Sequence, residues 1–274
     1  MRQRAARAAV VCLGVLFSLW YVFQASDNVA YSDYIRLINS YLPDVDNPAK
    51  FFVPDILTRV PVTYLGRLIN VKCFGYNTFF DLILGVLSLG AGAAALCAWR
   101  AKDWRPGFGW FVLIQFVYFS LNKWEMILNG TGWVCILSVS GFLATYVTLD
   151  RAYQTGCQSR AQRGILLMLP PALTLLVAGP YCGAYSAVML AALAILILLA
   201  AQRRDRLCVR AWAGCALAVG ISLGLYLWSN SYAVYVHRGA VENGNLLAEL
   251  FRDPAFFVRF LLKAFASAAV GLSQ

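Results

Sequence analysis

The chain has 274 residues, of which 61% are hydrophobic and 13% charged. Soluble domains carry about 25% charged residues, so the composition excludes an ordinary soluble domain. The net charge of +10 would suggest nucleic acid in a soluble protein, but here all of it falls on one side of a series of apolar blocks.

Those blocks approach the roughly 20 residues needed to cross a hydrocarbon core of ~30 Å. Residues 6–23, 78–99, 108–121, 132–149, 164–179, 185–201, 211–228 and 256–272 read as eight spans. The sequence therefore predicts an all-α, polytopic transmembrane helix bundle, a single integral membrane domain over 1–274. The first block has a basic start and carries Trp20 and Tyr21, with no clear small-residue cleavage site after it. It reads as a retained anchor and not as a signal peptide. Pro170 and Pro171 fall inside the fifth block and predict a kink there. The chain ends soon after the eighth block, as expected of a short member of a longer class or of a fragment.

Basic residues set the predicted orientation. Arg2, Arg4, Arg7, Arg100, Lys102, Arg105, Arg151, Arg160, Arg163, Arg203, Arg204, Arg206 and Arg210 fall on one side, against Asp103, Asp150 and Asp205. The other side holds 10 basic and 10 acidic residues. Short basic loops stay in the cytoplasm, so both termini are expected inside, in a plasma (inner) membrane protein.

The outer segments are then 24–77, the short turn around 123–131, and 229–255. In the first, Tyr34, Leu37, Ile38 and Tyr41 share one helical face, begun by Asp33 and ended by Pro43. A second helix is expected from about Pro54, with Leu57, Pro61, Tyr64, Leu65 and Leu68 on its apolar face. Two amphipathic helices beside a membrane belong in its interface. A further short helix is expected over 243–250. The eight cysteines show no CxxC, and His237 is the only histidine, so no structural metal site is expected. Cys73 and Cys182 fall on the outer side, where a disulfide between them is open.

Polar residues able to carry chemistry gather at this outer rim. Asp27 and Asp33 follow the first span; Asp55 precedes Arg59 by one turn; Asp81 lies just inside the second span. Each acid also has an ordinary reading as a surface charge or a helix-start residue. Trp124, Glu125, Asn129 and Trp133 lie in one glycine-containing turn, which reads as an aromatic belt or as a sugar-binding turn. Asn129-Gly130-Thr131 also has the form of a glycosylation sequon. Arg259 and Lys263 are four residues apart, where they either snorkel or hold a phosphate. Arg36, Arg59 and Arg67 add cations on the loop helices.

The layout of a basic N-terminus, one span and a long first outer loop with an early aspartate, with Ser32-Asp33-Tyr34, Asp55 to Arg59, and Trp124-Glu125 through Trp133, resembles the polytopic bacterial glycosyltransferases of the GT-C type. The resemblance implies transfer of a sugar from a polyprenyl-phosphate carrier to a lipid or glycan acceptor at the outer face. It implies Asp33, with Asp27 second, as the catalytic acid, acting as general base or holding a divalent cation. Asp55, Arg59, Trp124, Glu125, Asn129, Arg259 and Lys263 would bind substrate. Membrane lipids are the other expected partner, and nucleic acid is not one. Two other readings stand beside it. A transporter or flippase is disfavoured because polar residues gather at the rim and not at mid-depth. A non-catalytic envelope assembly protein fits the short length.

Overall fold

Among the residues described, every regular element is helical, and apolar continuity sets most of the boundaries. The computed structural model describes residues 2–29, 35, 42, 45–51, 60–99, 107–177, 179, 182–231, 252–256, 258–259 and 262–263. The chain divides into two units, Met1–Val234 and Tyr235–Gln274.

In the first unit, α1 (Arg2–Ala25) leads to a 3-10 turn at Pro48–Phe51 and then to α2 (Pro61–Phe74). The long helix α3 (Thr78–Ala98) follows, then α4 (Phe108–Tyr118), the short α5 (Trp124–Leu128) and α6 (Gly132–Gln154). Next come α7 (Arg160–Ala172), a π-helical turn at Leu173–Val177, α8 (Cys182–Gln202) and α9 (Arg206–Ser231). Six stretches of helix are long and apolar enough to cross a membrane, which makes this a multi-pass membrane protein: Gln3–Ala25, Thr78–Ala98, Phe108–Leu128, Gly132–Gln154, Gly183–Gln202 and Arg206–Trp228. The expected count of about eight is therefore not reached among the described residues. The fifth predicted block forms only the 13 residues of α7 plus the π turn. Most of the eighth, 256–272, lies outside the described residues, as does the helix expected over 243–250.

α6 holds the first unit together. Its first half joins α1, α3, α4 and α5 around Val22, Val86, Leu89, Phe119 and Ile136. Its last turns join α7, α8 and α9 around Leu149, Ala152, Met189 and Trp212. Phe142, at its middle, packs with Leu173 and Tyr226. The turn before α6 is tight enough that a Cβ on Gly132 would sit 2.0 Å from the Met126 carbonyl oxygen, so no larger residue fits that backbone.

The two prolines of α7 explain an otherwise odd contact. Pro170 has no N–H to return to the carbonyl of Leu166 four residues earlier. The Cys215 thiol, buried on α9, bonds that carbonyl oxygen at 3.1 Å. A neighbouring helix thus supplies the donor that the proline removed, as interiors poor in water require. Cys73 is a free, exposed thiol, so it does not form the disulfide considered for it.

Replacing Cys215 with alanine leaves the Leu166 carbonyl without that donor. The expected loss is about 1–3 kcal/mol, read as a lower melting temperature of the purified protein in detergent. Cys215→Ser keeps a donor and should lose less than Cys215→Ala.

Candidate functional site: a buried ion pair under the loop helix

α2 begins at Pro61, whose missing N–H and preset φ suit a first helical position. It ends at Gly75, in a left-handed conformation with φ 62°, followed by Tyr76 at φ 63°. Two consecutive left-handed residues reverse the chain, and both backbone N–H groups return to the Asn70 carbonyl. Asn77 then caps α3, its side chain accepting from the Phe79 N–H at 2.9 Å.

This hairpin puts Arg67 of α2 against Asp81 in the first turn of α3. Arg67 Nη1 donates to Asp81 Oδ2 at 2.8 Å, and both residues are 1% exposed. Asn70 Nδ2 donates to the same oxygen at 2.8 Å. The Asn70 amide also brackets Asn77, donating to its carbonyl at 3.0 Å and accepting its N–H at 2.8 Å. Arg67 Nη2 donates to the Gly130 carbonyl at 3.1 Å, and its guanidinium lies 5.8 Å from the Tyr76 ring centre. Asp81 also faces the positive end of its own helix. One ion pair therefore ties together α2, α3 and the turn that precedes α6.

The orientation of α2 differs from the expected one. Its buried face carries Thr63, Tyr64, Arg67 and Asn70, whereas Leu65, Ile69 and Phe74 are exposed. Tyr64 was expected to share an apolar face with Leu65 and Leu68. It is buried instead, its hydroxyl donating to the Val45 carbonyl at 3.0 Å and its ring set edge-on to Phe51. The polar face points inward because Asp81 is there to receive it, which leaves an apolar face outward.

The turn of Trp124 through Trp133 divides into two roles. Trp133 is buried over α2, where a Cβ on Gly66 would come within 2.8 Å of its ring. Asn129 is nearly buried, and its Oδ1 accepts the Thr131 N–H and hydroxyl at 3.0 and 2.9 Å, which closes the turn. Trp124 and Glu125 remain exposed. Lys123 donates to the Tyr118 and Ser120 carbonyls and so caps the end of α4.

Asp27 is exposed just past α1. Asp33, Asp55 and Arg59 lie outside the described residues, as do Arg36 and most of the predicted helix around it. Arg259 and Lys263 are exposed residues of the second unit, and Arg259 sits 4.0 Å from Asp253. No group of three or more His, Cys, Asp or Glu side chains able to hold a metal occurs among the described residues. The structure thus brings together Arg67 and Asp81, which the sequence showed only as a loop cation and an acid inside a span, and Asn70, which it did not single out. The signal for them was present: an aspartate inside an apolar span needs a partner, and Arg67 and Lys72 are the basic residues nearest before it. Comparison with family models, curated proteins and solved structures finds no match to this chain.

Breaking a buried pair on one side leaves an uncompensated charge. Arg67→Ala or Asp81→Asn should each destabilise the protein by about 3–5 kcal/mol. The double variant Arg67→Met/Asp81→Leu removes both charges and should recover a large part of that loss. Thermal unfolding in detergent of all three variants checks this, and a double variant no better than the singles would refute it.

Proposed function

We propose that this chain is an envelope enzyme of the inner membrane that moves a sugar from a polyprenyl-phosphate carrier to an acceptor at the outer face. The observation that best supports this reading is the reversed polarity of α2. Its exposed Leu65, Ile69 and Phe74 offer an apolar ledge to a long hydrocarbon carrier. Arg67 fixes that ledge to the Gly130 turn, at the end of the segment that presents Trp124 and Glu125. In this reading Trp124 stacks on the sugar, as an exposed aromatic ring can, and Glu125 orients a hydroxyl. Asp33, with Asp27 second, takes the acceptor proton as general base. Asp55 and Arg59 contact substrate.

A second reading rests on a specific observation. Arg67, Asp81, Asn70 and Asn129 bond to one another or to nearby backbone, as in a fixed scaffold. A non-catalytic assembly protein would use the same rim to hold a partner or a lipid-linked glycan without turnover.

The deciding experiment reconstitutes the full chain in vesicles with radiolabelled polyprenyl-phosphate sugars and follows label into acceptor. Transfer that falls ~10²-fold or more in Asp33→Asn, the usual scale for a lost general base, supports the enzyme. Retention of the carrier with no transfer supports the assembly reading.

The orientation has its own test. Cys73 is a free, exposed thiol on α2. A membrane-impermeant maleimide added to intact cells should label it, and labelling that requires permeabilised cells would invert the proposed topology.

A further inference from the structure

The opposite end of the first unit carries a different kind of surface. The last turn of α6, the start of α7, the end of α8 and the start of α9 meet there around Cys157, Leu166, Ala200 and Cys208. Two chain reversals close this end. In the first, Gly156 and Cys157 take left-handed backbone at φ 60° and 57°, and Ser159 caps α7. In the second, Arg204 is left-handed at φ 57°, and the Asp205 carboxylate accepts the Cys208 N–H at 3.0 Å to cap α9. The two reversals are stapled together: Arg203 Nη2 donates to the Tyr153 hydroxyl at 3.1 Å, and its guanidinium lies 5.6 Å from the centre of that ring.

The outcome is a patch on which Arg160, Arg203, Arg204, Arg206 and Arg210 are all exposed. Among the described residues, no ion pair joins any of the five to an acid. The two acids nearby among the described residues are already engaged. Asp150 accepts from the Trp99 indole and from Gln154, at 3.1 and 2.7 Å. Asp205 caps α9, and the backbone N–H of Cys208 holds its carboxyl below the usual carboxylate range, so it stays ionised as a cap. The N-termini of α7 and of α9 also lie at this end, where the helix dipoles are positive.

Directly along the helices from these arginines the surface turns apolar. Ile165, Leu167 and Met168 on α7 and Leu207 on α9 are exposed. Arg160 and Met168 are about 12 Å apart along the helix at 1.5 Å per residue, so cations and a hydrocarbon-facing surface succeed each other within one lipid's length. A soluble phosphate would use the first and have no use for the second.

We propose that this arginine rim is a binding site for anionic phospholipids, with the headgroup phosphate held by the Arg203–Arg210 cluster and Arg160, and the acyl chains against α7 and α9. Arginine suits this because its planar fork meets phosphate oxygens in pairs. Basic charge that only sets orientation would need no common patch and no stapled turns. The site is independent of the proposed sugar transfer.

The test is native mass spectrometry of the full chain in neutral detergent, offered phosphatidylglycerol or phosphatidylcholine. The wild type should retain phosphatidylglycerol several-fold better, and the preference should weaken as salt rises. Arg203→Gln/Arg204→Gln/Arg206→Gln/Arg210→Gln should lose most of the preference. Arg160→Gln/Arg204→Gln, which leaves the Arg203–Tyr153 staple intact, should lose part of it and serves if the quadruple variant fails to fold. Arg4→Gln, an exposed charge on α1, should keep it. No preference in the wild type, an undiminished preference in the folded rim variants, or an equal loss in Arg4→Gln would each overturn the proposal.

Discussion

A carboxylate at the mouth of an apolar helix is the constraint around which one end of this protein is organised. Asp81 opens the Thr78–Ala98 helix and is sealed from water, so its charge has to be met by the protein itself. Arg67 and Asn70 meet it, which fixes the rotation of α2 about its axis. That rotation turns the apolar residues of α2 outward and brings Gly66 against Trp133. The second arm of the guanidinium then fixes the Gly130 turn, and with it the start of α6. Because α6 is shared by the apolar clusters on both of its sides, the placement of one ion pair reaches most of the first unit.

The same accounting of backbone groups recurs wherever a helix is interrupted. Lys123 covers the carbonyls at the end of α4. Arg151 reaches the Ala98 carbonyl at the end of α3. Cys215 covers the carbonyl that Pro170 leaves open. Asn28 receives both the N–H and the hydroxyl of Thr78, tying the chain after α1 to the start of α3. Each is a side chain from elsewhere satisfying a group that water would satisfy in a soluble protein.

Apolar continuity is local, and it was readable. The predicted blocks at 78–99, 132–149 and 185–201 lie within a few residues of α3, α6 and α8. The six long apolar helices follow from it. What continuity could not give was the partner of each polar residue. Arg67 was visible as a loop cation and Asp81 as an acid inside a span, but their pairing depends on a left-handed reversal at Gly75 and Tyr76. The apolar face of the second loop helix was inferred as if water lay on its other side. Once a buried acid lies there, Tyr64 and Arg67 turn inward together. The π turn after Pro171 was likewise hidden, because the sequence marks where hydrogen bonds are lost and not where the replacements come from. Of the residues first read as a site, Asp27, Trp124 and Glu125 are exposed and Asn129 is built into a turn.

The order of the hairpin along the chain bears on how such a protein is made. Arg67 and Asn70, the donors on the buried Asp81 oxygen, both precede it in the chain. A chain growing from its N-terminus therefore already contains both when the acid emerges, and the contact spans only 14 residues. The bond from Arg67 to Gly130 spans 63 and has to wait for α4 and α5. Short-range closure before long-range closure is the sequence that loop entropy favours. Asp81 can thus be neutralised at the moment of insertion, with the later helices assembling on a hairpin that carries no bare charge.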